Sequence, residues 1–125
     1  MRKLLIVDDS PVVREQIVPM ITTIPGIELV GKVGTVAESL DAIKELTPDI
    51  IILDLQLPDG NGFEILKFVK ESLPRTKVII LTNYPFAQHR MKALAAGAEY
   101  FFDKSLEFEK LIDALTEEDG VLLDS

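Results

Sequence analysis

The chain contains no cysteine, so it has no disulfide framework, no thiolate metal site and no cysteine nucleophile. Its one histidine, His89, lies in the polar stretch Gln88-His89-Arg90 and has no assignable Ser or Asp partner. Metal sites want more than one such ligand, so His89 reads as a surface residue. Apolar runs are short: Ile50 to Leu53 is four residues, against the roughly 20 that span a bilayer. Met1-Arg2-Lys3 is followed by only Leu4 to Val7 before Asp8, too little for the apolar region of a signal peptide. The chain is therefore expected to stay in the cytoplasm, with no membrane association. Positive charge is also scarce, with 13 Lys and Arg against 21 Asp and Glu and a net charge of −8. That balance argues against general electrostatic binding to nucleic acid or anionic lipid. No phosphate-cradling G-x-x-x-x-G-K-[ST] occurs, and Gly60-Asn61-Gly62 lacks the dinucleotide spacing and reads as a turn.

What remains is 125 residues, 47% of them hydrophobic, enough to bury one core in one domain. Short runs rich in β-branched or aromatic residues predict strands at Lys3 to Val7, Ile27 to Val33, Asp49 to Leu53, Lys77 to Leu81 and Glu99 to Phe102. Helical spacing predicts helices at Val12 to Ile24, Val36 to Leu46, Phe63 to Leu73, Phe86 to Ala96 and Leu106 to Leu115. Phe63, Leu66, Leu94 and Leu111 read as core positions on those helices. Runs that are apolar without alternation suit strands covered on both faces, so the pattern is an α/β (βα)5 parallel sheet between helices. Ser10-Pro11 marks one helix start and Tyr84-Pro85 a second, and Gly97 marks a left-handed helix end. Pro19 falls inside the first helical pattern and predicts a kink or break. The acidic end, Thr116 to Ser125, is expected to fray, chiefly over 117–125.

In an open parallel sheet the loops at the carboxyl ends of the strands share one edge, where ligands bind. The residues ending the predicted strands are Asp8-Asp9, Asp54, Thr82 and Asp103-Lys104. Carboxylates crowded together resist full ionisation unless a cation is present. Mg²⁺ suits such a set, because it takes a few carboxylate or carbonyl oxygens and keeps waters and open positions for phosphate. One carboxylate is then free to act as a nucleophile toward phosphorus. The hydroxyl of Thr82 and the ammonium of Lys104 are the groups that phosphoryl transfer needs around the equatorial oxygens.

Ile6-Val7-Asp8-Asp9-Ser10, Asp54-Leu55-Gln56-Leu57-Pro58-Asp59-Gly60-Asn61-Gly62, Ile80-Leu81-Thr82 and Gly97-Ala98 leading to Lys104 together resemble the receiver domain of two-component response regulators. The likeness spans essentially the whole chain, as one stand-alone receiver over 1–125. It implies a doubly wound, flavodoxin-like sheet of order 2-1-3-4-5. It also implies that Asp54 is the phosphoacceptor, that Asp9 ligates Mg²⁺ directly, that Asp8 acts through metal-bound water, and that the backbone carbonyl of Gln56 completes the ligands. Lys104 would pair with the phosphoryl group or with Asp54. Thr82 would swing inward on phosphorylation and Phe101 would turn inward with it, reshaping the surface of the fourth helix, fifth strand and fifth helix. The implied donor is a sensor histidine kinase or histidine phosphotransfer protein, the implied output a downstream protein effector, and the implied state a monomer or a phosphorylation-dependent dimer. Such a domain is a signalling module that catalyses only its own phosphorylation and dephosphorylation.

The chain departs from the usual receiver pattern at four places. Ser105 stands where proline commonly follows the lysine through a cis bond, which for a non-proline residue costs about 3 kcal/mol. Asn83 stands where a small residue is usual, Phe101 replaces the more frequent tyrosine, and Gln56 places an amide beside the site. Two other readings use the same residues: a small Mg²⁺-dependent phosphohydrolase with an aspartate nucleophile, and an interaction module that works without phosphorylation.

Overall fold

A computed structural model describes residues 1–118. Five parallel strands, β1 (Arg2–Val7), β2 (Ile27–Val33), β3 (Ile50–Leu53), β4 (Lys77–Thr82) and β5 (Tyr100–Asp103), form one sheet. Their order is β2-β1-β3-β4-β5, as the receiver resemblance implied. The helices are α1 (Pro11–Ile21), α2 (Val36–Leu46), α3 (Gly62–Ser72), α4 (Ala87–Ala95) and α5 (Phe108–Glu118). A two-residue antiparallel ribbon, Gln56–Leu57 with Gly60–Asn61, stands where the sequence suggested only a turn.

Successive strand residues point to opposite faces, and each face is packed. Leu5, Val7, Ile51, Leu53, Val78 and Ile80 meet α2, α3 and α4. Leu4, Ile6, Ile50, Ile52, Ile79 and Leu81 meet α1 and α5. All twelve are fully buried, and each such side chain gains about 1.5–3 kcal/mol over an exposed one. The unalternating apolar runs follow directly from this double cover.

The ends of the elements follow local chemistry. Thr35 caps α2 by accepting from the Glu38 N–H at 3.1 Å, and Asn61 caps α3 by accepting from Phe63 at 3.0 Å. Gly97 takes a φ of 105°, as expected for the residue after a helix. Leu66 and Leu111 are buried, as their spacing suggested, and Phe63 is partly buried.

Several expectations need correction. Pro19 does not break α1, which runs on to Ile21. Pro19 and Glu15 are both exposed, so water can take the carbonyl that the missing N–H leaves free. The helix stops at Thr22, whose hydroxyl donates to Pro19 O at 2.7 Å. Ser10 is the N-cap by position, but its side chain makes no capping bond. The fourth helix begins at Ala87, one residue later than the spacing predicted, with Pro85 preceding it and Phe86 at the N-cap position without a side-chain capping bond. Leu94 is 40% exposed, because α4 buries Ala93 instead. Thr116 lies inside α5, its hydroxyl donating to Ile112 O at 2.7 Å. The helix reaches Glu118, and residues 119–125 lie outside the described part.

Candidate functional site

The carboxyl ends of β1, β3, β4 and β5 deliver the polar residues to one edge. Parallel pairing sets Val7 beside Leu53, Leu53 beside Ile80, and Thr82 beside Asp103. The next residues along β1 and β3, Asp8 and Asp54, therefore emerge side by side. The Asp54 N–H donates to Val7 O and the Asp8 N–H to Val33 O, both at 2.9 Å, so the sheet's bonding continues into the site.

Asp8, Asp9 and Asp54 can each present a carboxylate oxygen within 4.8 Å of the others. Asp8 and Asp54 are buried, whereas Asp9 is exposed. Lys104 enters from the end of β5 and places Nζ 2.7 Å from Asp8 Oδ2 and 3.0 Å from Asp54 Oδ2. One ammonium thus serves two buried carboxylates. Burial pushes the Asp54 carboxyl above the usual range, outweighing the opposing pull of Lys104, and the Asp8 charge adds to the rise. Burial also works against the charged Lys104, but its contacts with Asp8 and Asp54 prevail and hold it above the usual lysine range.

Three hard oxygen donors, two of which share one ammonium, suit a hard divalent cation that leaves room for other oxygens. The adjoining cavity, about 330 Å³, is lined by Asp9, Asp54, Gln56, Asn83, Tyr84 and Lys104 among others. The Gln56 side chain is exposed, while its N–H donates to Asp54 Oδ1 at 3.2 Å. Asn83 and Tyr84 are exposed at the rim.

Thr82 is fully buried at the end of β4. Its Oγ1 accepts from the Tyr84 N–H at 3.1 Å, and its carbonyl accepts from the Lys104 N–H at 2.9 Å. The Lys104–Ser105 peptide is trans, so Lys104 reaches both carboxylates without the cis bond that the receiver pattern commonly carries. Phe101 is 3% exposed and points inward. Without a phenolic hydroxyl it loses nothing by burial, and Arg90 covers it, with Nη1 donating to Phe101 O at 3.1 Å and the guanidinium 5.9 Å from the ring centroid. His89 is half-buried rather than fully on the surface. Its ring meets those of Phe63 and Phe86 edge-on at 6.1 and 5.5 Å, with Nδ1 3.2 Å from Tyr84 O.

Sequence reasoning passed over four residues that shape the site. A Cβ on Gly62 would lie 2.5 Å from Asp54 O and 3.0 Å from Leu55 Cα, so α3 can start against the Asp54 loop only with glycine there. Asp59 accepts from the N–H groups of Val36 at 2.7 Å and Ala37 at 3.1 Å, tying the Asp54 loop to the start of α2. These two donors hold its carboxyl below the usual range. Gly34 lies beside both Asp9 and the end of the Arg14 side chain. Only the helix-start pattern of Gly62 after Asn61 carries a trace of this in the sequence.

The fold and this edge define a doubly wound α/β domain with an acidic site at the carboxyl ends of its strands. The chain belongs to the response regulator receiver domain family, whose pattern it matches over residues 4–116. It is 34% identical over 115 residues to the DNA-binding transcriptional activator DevR/DosR of Mycobacterium tuberculosis, covering 92% of this chain and 53% of that protein. It is 36% identical over 110 residues to the transcriptional regulatory protein YhcZ of Bacillus subtilis, covering 88% of this chain and 51% of that protein. The chain thus spans about half the length of these curated relatives. Among solved structures, a LuxR-family two-component response regulator from Aurantimonas superposes with a TM-score of 0.86 at 28% identity, over 96% of this chain and 86% of that one. The response regulator domain of Thermotoga maritima CheB does so with 0.81 at 29% identity, over 100% and 98%. These likenesses give no support to a phosphohydrolase. Among the described residues, no helix is long and apolar enough to cross a membrane.

Proposed function

We propose that Asp54 of this receiver accepts a phosphoryl group from a phosphohistidine on a sensor kinase or phosphotransfer protein, in a site that holds Mg²⁺. The observation that carries the reading is the meeting of Asp8, Asp9 and Asp54 oxygens within 4.8 Å, with Lys104 Nζ 3.0 Å from Asp54 Oδ2. Asp8, Asp9, Asp54 and the Gln56 carbonyl would hold the ion, which supplies positive charge to the phosphoryl oxygens. An Asp54 carboxylate oxygen forms the new P–O bond as the P–N bond to the donor imidazole breaks. The imidazole leaves with that electron pair and takes a proton from water. Lys104 is placed to follow the phosphoryl oxygens as the Asp54 charge is consumed. The Thr82 hydroxyl, held at the same edge, is the group that would turn to donate to one of them.

Partner contact is proposed for the surface of α4, β5 and α5. Its support is the exposure of Phe86 at 60%, Met91 at 72% and Leu94 at 40%, an apolar display a solvated helix does not need. Thr82, with the Tyr84 backbone it holds, is the group whose change would report phosphorylation, with Phe101 packed inward beneath it. Residues 1–125 are read as one cytoplasmic receiver unit, and the transcriptional names of the relatives make a DNA-binding regulator the kind of protein such a unit would control. Beryllofluoride with Mg²⁺ should shift the amide resonances of Asp54, Thr82 and Tyr84 together. The absence of any Mg²⁺-dependent shift would favour an interaction module that works without phosphorylation.

A further inference from the structure

Asp9 is the exposed member of the acidic trio, and no hydrogen bond from a described residue reaches its carboxylate. Its position comes from packing instead. A Cβ on Gly34 would lie 3.3 Å from Asp9 Cβ, 3.4 Å from Asp9 Cα and 3.2 Å from Arg14 Nη2. Gly34 is therefore crowded from two sides, by Asp9 and by the Arg14 guanidinium, and an added methyl group would have to displace one of them by a few tenths of an ångström. Arg14 places Nη2 3.5 Å from the backbone carbonyl of Asp8, and its Nε is buried without a partner. A guanidinium gives up that hydration only where packing holds it.

The turn carrying Gly34 is itself held by hydrogen bonds. Val33 O accepts the Asp8 N–H at 2.9 Å, the Gly34 N–H donates to Glu38 Oε1 at 3.3 Å, and Thr35 caps α2. From the other side, Asp59 accepts the Val36 and Ala37 N–H groups at 2.7 and 3.1 Å. The start of α2 is thus fastened both to the end of β1 and to the loop after Asp54.

We propose that Gly34 and Arg14 are positioning residues for Asp9: the turn before α2 and the guanidinium from α1 hold the one carboxylate that lacks hydrogen bonds where a cation bound by all three acids needs it. This rests on the reading that the trio holds a divalent cation. Arg14 brings positive charge toward a cation site, which by Coulomb's law alone opposes binding. Its benefit must be geometric, and that gives the test a sign.

Mg²⁺ titration of the full chain, followed by amide chemical shifts, would compare wild type with Gly34→Ala and Arg14→Met, while thermal unfolding in chelator monitors the fold separately. Both variants should bind Mg²⁺ more weakly, on the order of tenfold, the scale of loss when an outer-shell support is removed. Lys70→Met, at the opposite edge of the sheet, breaks the 2.9 Å pair with Glu99 and should lower the unfolding temperature with no change in affinity. Wild-type affinity in both folded variants, or tighter binding by Arg14→Met, would overturn the positioning role and leave the proposed function intact. If Gly34→Ala fails to fold, Arg14→Met decides alone. A wild type that does not bind Mg²⁺ would overturn the proposed function, and this inference with it.

Discussion

Lys104 Nζ sits 3.0 Å from Asp54 Oδ2 while also lying 2.7 Å from Asp8 Oδ2. One cation divided between two buried anions leaves the site short of positive charge, and much of the expected behaviour follows from that shortage.

The first consequence concerns Asp54 itself. Its native carboxyl is raised by burial, so the folded protein holds that proton more tightly than the unfolded chain does. Stability therefore falls as pH rises from the ordinary carboxylate value through the raised one. Asp54→Asn removes this cost and should be more stable than wild type at neutral pH in chelator, by about 1 kcal/mol, with a Tm a few degrees higher. Urea unfolding across a pH series should show the advantage vanish on acidification. Mg²⁺ should raise the Tm of wild type more than that of the variant.

Removing the cation should act the opposite way. Lys104→Met leaves two buried carboxylates facing each other and should cost about 3 kcal/mol in chelator. Saturating Mg²⁺ should restore part of that loss, so the stabilisation by Mg²⁺ should be larger for the variant than for wild type. Equal Mg²⁺ effects in differential scanning calorimetry would contradict the shared-ammonium account.

Gly62 tests how closely α3 is built against the Asp54 loop. With a Cβ 2.5 Å from Asp54 O, Gly62→Ala must displace backbone, and overpacking of this kind costs about 1–3 kcal/mol. The displaced loop carries Asp54, so labelling by a small phosphodonor should slow as stability drops. A variant destabilised in urea but labelled at the wild-type rate would separate the loop from the chemistry.

Asp59 predicts a pH effect of opposite sign to that of Asp54. Its carboxyl is lowered by the Val36 and Ala37 N–H groups, so its contribution is complete above the ordinary carboxylate value and is lost as pH falls through the depressed native value. Asp59→Asn should be less stable than wild type at neutral pH, and the two unfolding curves should converge in acid.

How much of this could be read in the sequence varied with the range of the interaction. The βα alternation was legible because both faces of the sheet are covered, which turned β3 and β4 into unbroken apolar runs. Asp8, Asp9, Asp54, Thr82 and Lys104 were legible because each ends a strand or lies within two residues of its end, and register does the rest. The strand order came from family resemblance, since no local pattern encodes it. Contacts across loops left little local trace: Gly34 against Asp9 and Asp59 on α2 join distant segments, and Gly62 against Asp54 showed only as a helix start after Asn61. Leu94 misled because α4 buries little more than Ala93, so helical spacing could not show which side faced the sheet. Pro19 misled because it and Glu15 are both exposed, where water can stand in for the missing donor.

The central claim is that Asp54 is the phosphoacceptor in a cation-dependent site. The most direct test is to incubate the protein with acetyl phosphate and Mg²⁺, trap the product by borohydride reduction and locate the modified residue by peptide mass spectrometry. The account predicts one phosphoryl group per chain, on Asp54, absent in chelator and absent in Asp54→Asn. Modification at Asp8 or Asp9 instead, or equal labelling without a divalent cation, would contradict it.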